Sequence, residues 1–149
     1  MSIKDLNEER NLSKIIFISG GTKSGKSEFA EYLAKSYSNL TYVALSVENN
    51  DDKHWRKKIS LHRKRRPKEW NTIETTNLIK VLKKERTPLL IDSIGGFIME
   101  NLNLKYKEWS KKMNLLIEEL KIRDEITLIV GEQVGLGLVS EYAIGNRYI

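Results

Sequence analysis

The residues from 14 to 27 constrain this chain more than any others. A short β-rich apolar run, KIIFIS, ends at Gly20-Gly21 and leads into Gly20-Gly21-Thr22-Lys23-Ser24-Gly25-Lys26-Ser27. This satisfies G-x-x-x-x-G-K-[ST] between a strand and a helix, the setting in which the pattern forms a phosphate-binding loop. The glycines let backbone amides curl around phosphate oxygens without Cβ interference, and the helix N-terminus adds the positive end of its dipole. Lys26 then reaches the β- and γ-phosphates, and Ser27 offers its hydroxyl to Mg²⁺. The competing reading is a glycine-rich turn that binds nothing. Average residue usage produces such a match by chance in roughly one chain of this length in two hundred, so chance is the weaker explanation.

The rest of the chain repeats the strand-then-helix alternation. Residues 26–36 carry Phe29, Leu33 and Tyr37 at helical spacing, and residues 40–44 read as a second strand. Residues 53–64 suit a helix with Trp55, Ile59 and His62 on one face, ended by Pro67. A brief strand is expected at 70–73, and Thr76 or Asn77 caps a helix through Lys84. PLLID (88–92) is a buried strand. Residues 106–121 form an amphipathic helix with Trp109, Met113, Leu116, Ile117 and Leu120 on one stripe, and 126–130 the last clear strand. Apolar strands separated by helices imply crossovers and a sheet covered on both faces. The expected class is therefore α/β: a three-layer P-loop nucleotide-binding fold with a mostly parallel sheet. At 149 residues a single domain is expected over 1–149, with residues 1–13 a polar N-terminal extension.

Composition removes several function classes. There are no cysteines, which excludes disulfides, thiolate metal sites and cysteine nucleophiles. No apolar run approaches the roughly 20 residues of a membrane helix. The N-terminal MSIKDLNEERNLSK lacks an apolar stretch for secretion, so a cytoplasmic location is expected. The net charge of +6 invites a nucleic-acid reading, but nine basic residues and no acid lie between Lys53 and Lys68. Removing those nine from 26 leaves 17 cations against 20 acids. The excess is one segment, and nucleic acid is not the expected partner.

Two further positions carry chemistry. Asp92 closes the run PLLI, where a nucleotide-binding fold uses an acid to contact Mg²⁺ through water; the plainer alternative, less favoured beside the loop upstream, is an Asp that caps the next helix. His62 stands directly before Arg63-Lys64-Arg65-Arg66-Pro67. Adjacent cations keep an imidazole neutral and nucleophilic near pH 7 and can neutralise the oxygens of a polyphosphate under attack. Such a histidine suits a covalent phosphoramidate. A half-buried histidine beside Trp55 and Ile59 is the plainer reading, and a solvated face or an RNA patch the plainer one for the cations.

GGTKSGKS, YVALS, KISLHRKRRPKEWNTIE, LLIDS and VGLGLV, in this order, resemble the bifunctional adenosylcobinamide kinase/adenosylcobinamide-phosphate guanylyltransferase family. The signature His-Arg-x-x-Arg-Pro-x-x-Trp-x-Thr-x-Glu is matched by His62, Arg63, Arg66, Pro67, Trp70, Thr72 and Glu74. The resemblance implies phosphorylation of adenosylcobinamide by a nucleoside triphosphate, then transfer of GMP from GTP to adenosylcobinamide phosphate through a histidine-GMP intermediate. It implies His62 and Lys26 as catalytic residues, with Gly20, Gly21, Thr22, Lys23, Ser24, Gly25, Lys26 and Ser27 on the triphosphate. Leu45, Ser46 and Val47 fall on the family's nucleotide-contacting loop, with Leu45 replacing the usual Thr. Arg63, Lys64, Arg65, Arg66, Glu74 and Asp92 fall at further nucleotide-binding positions, with Ser27 and Asp92 toward Mg²⁺. GTP and ATP are the implied substrates beside the corrinoid, and a homotrimer the implied assembly.

The chain also departs from that pattern. Lys23 replaces an Arg, keeping the charge and losing a bidentate fork. Ser93-Ile94-Gly95-Gly96-Phe97 replaces a Thr-Leu-Trp-like helix start, which predicts a looser backbone there. Glu132-Gln133-Val134-Gly135 stands for Asn-Glu-Val-Gly, displacing the carboxylate, and Ser140 stands where a proline is common. The family also continues beyond the position of Ile149, so the C-terminal end is expected to be short for the family. Two other functions fit the residues: a P-loop small-molecule kinase without guanylyl transfer, and a nucleotide-regulated binding protein without catalysis.

Overall fold

Apolar strands that each hand over to a helix have no hairpin partner next in sequence, and pairing them in parallel is the arrangement that crossover connections permit. The computed structural model describes residues 14–21, 23–45 and 66–132. In chain order these form β1 (Ile15–Gly20), α1 (Lys26–Ala34), β2 (Thr41–Ala44), β3 (Asn71–Glu74), α2 (Leu78–Lys84), β4 (Leu89–Asp92), α3 (Gly95–Glu100), α4 (Tyr106–Ile122) and β5 (Thr127–Glu132). The five strands make one sheet in the order β1-β5-β4-β2-β3, and every pairing is parallel. The helix expected at 53–64 lies outside the described residues.

Alternation along the strands sorts side chains into two cores. Tyr42, Leu90, Leu128 and Val130 face α1. Val43, Leu89, Ile91 and Ile129 face the opposite way and pack with Leu78 and Leu82 of α2, Phe97 of α3 and Leu116 of α4. The α/β class and the two covered faces agree with expectation. No helix among the described residues is long and apolar enough to cross a membrane.

The helices differ in how they meet the sheet. On α1 the spacing singled out Phe29, Leu33 and Tyr37, yet Ala30 and Ala34 are fully buried while Phe29 is 54% exposed. Small residues let this helix lie close over the strands; Leu33 and Tyr37 pack at the margin of that contact, as the spacing suggested, while Phe29 turns away from it. Asn77 caps α2, its side chain accepting from the Lys80 amide at 3.1 Å, which satisfies one of the orphan first-turn donors. On α4, Trp109, Met113 and Leu120 pack against the core around buried Leu116, and Ile117 turns partly outward.

At the amino ends of β4 and β5, buried Arg123 clamps two loops together. Its Nη1 donates to the Glu85 carbonyl at 2.6 Å, its Nη2 to the Thr87 carbonyl at 2.5 Å and its Nε to Thr127 Oγ1 at 3.1 Å. Buried polar groups satisfied this way fix strand register far more than they add net stability.

The segment after Asp92 is not loose. α3 forms across Gly95–Glu100, and a Cβ on Gly96 would run into the backbone carbonyl of Leu45. The glycine lets α3 touch the end of β2 directly, setting the backbone around Asp92. Replacing Gly96→Ala is expected to cost about 2 kcal/mol or more, because backbone atoms on both sides must move. Urea denaturation checks this, and a loss under about 0.5 kcal/mol would refute the close-approach argument.

Candidate functional site

In a parallel sheet with crossovers, ligands gather outside the carboxyl ends of the strands. Here Gly20, Leu45, Glu74, Asp92 and Glu132 end or directly follow β1, β2, β3, β4 and β5, and so share that edge.

The phosphate loop turns from β1 into α1 through two left-handed residues, Lys23 (φ 59°) and Gly25 (φ 85°). The Ser24 amide donates to the Gly21 carbonyl at 3.2 Å, closing the turn. Gly25 is the N-cap of α1 and brings no capping side chain. The first turn of the helix thus gains no side-chain cap from its N-cap residue, and a helix N-terminus is a favourable place for an anion. Lys26 folds back over the loop, donating from Nζ to the Gly21 carbonyl at 3.1 Å. Its second partner is Glu132 at the end of β5, with Nζ–Oε1 3.7 Å. The carboxylate displaced by the Glu132-Gln133 departure thus lands on the loop lysine.

Asp92 ends β4 at this edge, two strands from the loop. Its Oδ2 accepts from the Tyr42 hydroxyl at 2.7 Å. Burial first, then the charge and hydrogen bond of Asp92, push the Tyr42 phenol well above its ordinary value; Glu31 adds to this and Arg66 opposes it. The phenol therefore stays a donor throughout the working pH range. The Arg66 guanidinium lies over the Tyr42 ring, 3.8 Å from its centroid, well within the range of a cation–π contact.

On the other side of Arg66 opens a cleft of about 560 Å³ lined by Arg66, Pro67, Lys68, Trp70, Thr72 and Glu74. Five of these six are signature residues, brought together along edge strand β3. Leu45 is 2% exposed, with its side chain in the core, which confines any nucleotide contact it makes to its backbone. Thr22, Ser46, Val47, His62, Arg63, Lys64 and Arg65 lie outside the described residues.

The donors suit Mg²⁺. A serine hydroxyl on the first turn of α1 and a carboxylate on β4 are hard oxygen ligands, and Mg²⁺ in phosphate sites takes few protein ligands with waters and phosphate completing the shell. The described residues contain no group of three or more His, Asp or Glu that could hold an ion by themselves.

The chain matches the cobinamide kinase/cobinamide phosphate guanyltransferase family over residues 16–149. It belongs to that family. It is 27% identical to the bifunctional adenosylcobalamin biosynthesis protein CobU of Escherichia coli strain K12, covering 90% of this chain and 83% of that protein. With the bifunctional adenosylcobalamin biosynthesis protein CobP of Pseudomonas aeruginosa it shares 30% identity over 89% of this chain and 79% of its relative. Among solved structures, a KaiC-like protein from Pyrococcus horikoshii OT3 aligns over 90% of this chain and 68% of its own, at 18% identity and a TM-score of 0.43.

Two residues beside Asp92 were not singled out by the sequence: Tyr42, which donates to it, and Glu31, whose charge acts on the phenol. The one available signal was a tyrosine two residues before the end of the short strand TYVA. Glu132 yields a direct test. Its ion pair with Lys26 competes with an incoming phosphate, and a half-exposed pair of this kind is worth at most about 1 kcal/mol. Glu132→Gln should therefore tighten binding of a fluorescent nucleoside triphosphate about 3-fold at low salt. Fluorescence titration measures it; unchanged or weaker binding would show that Glu132 does not restrain Lys26.

Proposed function

We propose that this protein phosphorylates the aminopropanol hydroxyl of adenosylcobinamide with a nucleoside triphosphate, and then guanylylates the product from GTP through His62. The observation that carries the reading is the joint presence, on one sheet edge, of a phosphate loop headed by Lys26 and the cleft lined by Arg66, Trp70, Thr72 and Glu74. A kinase alone accounts for the loop but not for the second site.

In the first step the substrate hydroxyl oxygen attacks the γ-phosphorus, the bond to the β-phosphate oxygen breaks, and the hydroxyl proton leaves to solvent or a nearby base. Lys26 and the α1 amides stabilise charge building on the phosphate oxygens. Ser27, and Asp92 through water, would hold Mg²⁺, which when bound would supply charge neutralisation to the triphosphate.

In the second step an imidazole nitrogen of His62 attacks the α-phosphorus of GTP and pyrophosphate leaves. A phosphate oxygen of the corrinoid then attacks the same phosphorus, the N–P bond breaks, and His62 returns to its free form with adenosyl-GDP-cobinamide as product. Arg63, Lys64, Arg65 and Arg66 neutralise the phosphates during both transfers. Glu74, on the cleft wall, is a suitable acceptor for the N–H donors of a guanine edge.

Incubation with GTP labelled at the α-phosphate is the test. The intact protein should take up an acid-labile, alkali-stable label that His62→Ala abolishes. An unlabelled intact protein would sink the histidine step, and transfer of γ-label alone would select the small-molecule kinase. Lys26→Ala should lower phosphorylation at least about 100-fold, since an electrostatic contact made in the transition state is lost; normal turnover would refute the loop assignment.

A further inference from the structure

Arg66, Tyr42 and Asp92 meet in one partly buried polar cluster that joins β2, β4 and the residue entering the cleft, with buried Glu31 of α1 near enough for its charge to act on the phenol. Tyr42 is its centre. It is 4% exposed, on a strand hydrogen-bonded on both sides, so its ring is held by packing as well as by its partners. Tyr42 sits beside Leu90 in the β2–β4 register, and Asp92 lies two residues further along β4 on the same face. Two strand residues span about 6.6 Å, close to the reach of a tyrosine side chain and beyond that of any aliphatic one. The hydroxyl thus meets Asp92 Oδ2 at 2.7 Å while the ring face stays available to the Arg66 guanidinium at 3.8 Å. One side chain fixes both groups by two different atoms.

Resting on the proposed function above, we infer that Tyr42 is a positioning residue for both halves of the site: its hydroxyl orients the Asp92 carboxylate toward the metal–triphosphate, and its ring seats Arg66 at the mouth of the cleft. With Oδ2 held by the phenol, Oδ1 would be the oxygen left for a metal-bound water. A carboxylate without that bond is free to rotate, and loss of such an outer hydrogen bond typically weakens metal binding 10- to 100-fold. Loss of the ring instead leaves the carboxylate to find water and removes the platform under Arg66.

The two functions separate by substitution. Tyr42→Phe keeps the ring and deletes the hydroxyl; Tyr42→Leu deletes both. The readout is binding of a fluorescent GTP analogue, with turnover not required, across a Mg²⁺ titration and again in EDTA. For Tyr42→Phe the Mg²⁺ concentration for half-maximal enhancement of binding should rise about 10-fold, with affinity in EDTA unchanged. For Tyr42→Leu the same rise should be joined by a severalfold loss of affinity in EDTA. Arg66→Gln should reproduce only the EDTA loss, and stands in for Tyr42→Leu if that variant does not fold. Asp92→Asn is the control for the underlying reading. If Asp92→Asn loses the Mg²⁺ response and Tyr42→Phe retains it in full, the inference about Tyr42 is overturned alone. If neither variant changes it, the metal role of Asp92 falls and the inference with it. A uniform loss in Tyr42→Phe, in EDTA as much as in Mg²⁺, would mark the residue as merely structural and overturn the proposal.

Discussion

The hydrogen-bonded ladder of β5 between β1 and β4 is the constraint on which the site depends. β5 is buried along five of its six residues and pairs in parallel with both neighbours. Neighbouring strands lie about 4.8 Å apart, so one interposed strand sets the phosphate loop and Asp92 about 10 Å apart across the sheet. That is room for a metal–phosphate group between them. Register does the rest, aligning Gly20 with Glu132 and Asp92 with Val130. A slip of one residue would turn Asp92 to the opposite face, away from α1.

Around this frame, electrostatics are shared out among few groups. Lys26 is held between a loop carbonyl and Glu132, and Asp92 between the sheet and a phenol. Each contact is of a kind that a phosphate or a metal-bound water can replace or complete. The opposite, amino-terminal edge is built differently. There Arg123 spends its donors on two carbonyls and a threonine hydroxyl, which fixes the loops. Rigidity is concentrated at one end of the strands and exchangeable contacts at the other.

Much of this was legible in the residues. The run LLID reads as a strand because both faces of the sheet are covered there, which leaves no polar alternation to obscure it; IIFIS reads the same way although Phe17 of edge strand β1 is left exposed. The glycine-rich turn and its lysine fell where the spacing requires. Less legible was α1, whose contact face is made of alanines that any hydrophobicity pattern ranks below Phe29. Short α3 was hidden by its two glycines, which weaken helical propensity; Gly96 gains in exchange its contact with the Leu45 carbonyl. The shift of Glu132 onto Lys26 was readable as a departure from a pattern, but its partner was not.

The sequence by itself determined the alternation of strand and helix, the phosphate loop and the family signature, because each rests on local spacing or residue type along one stretch of chain. It also located the positive charge in one segment. What only the tertiary structure decided are the pairs that cross elements: Glu132 with Lys26, Tyr42 with Asp92, and Arg66 over the Tyr42 ring. Those partners are separated by 24 to 106 positions in the numbering. They meet through strand order and register, which hydrogen bonding between distant segments sets and no local pattern encodes.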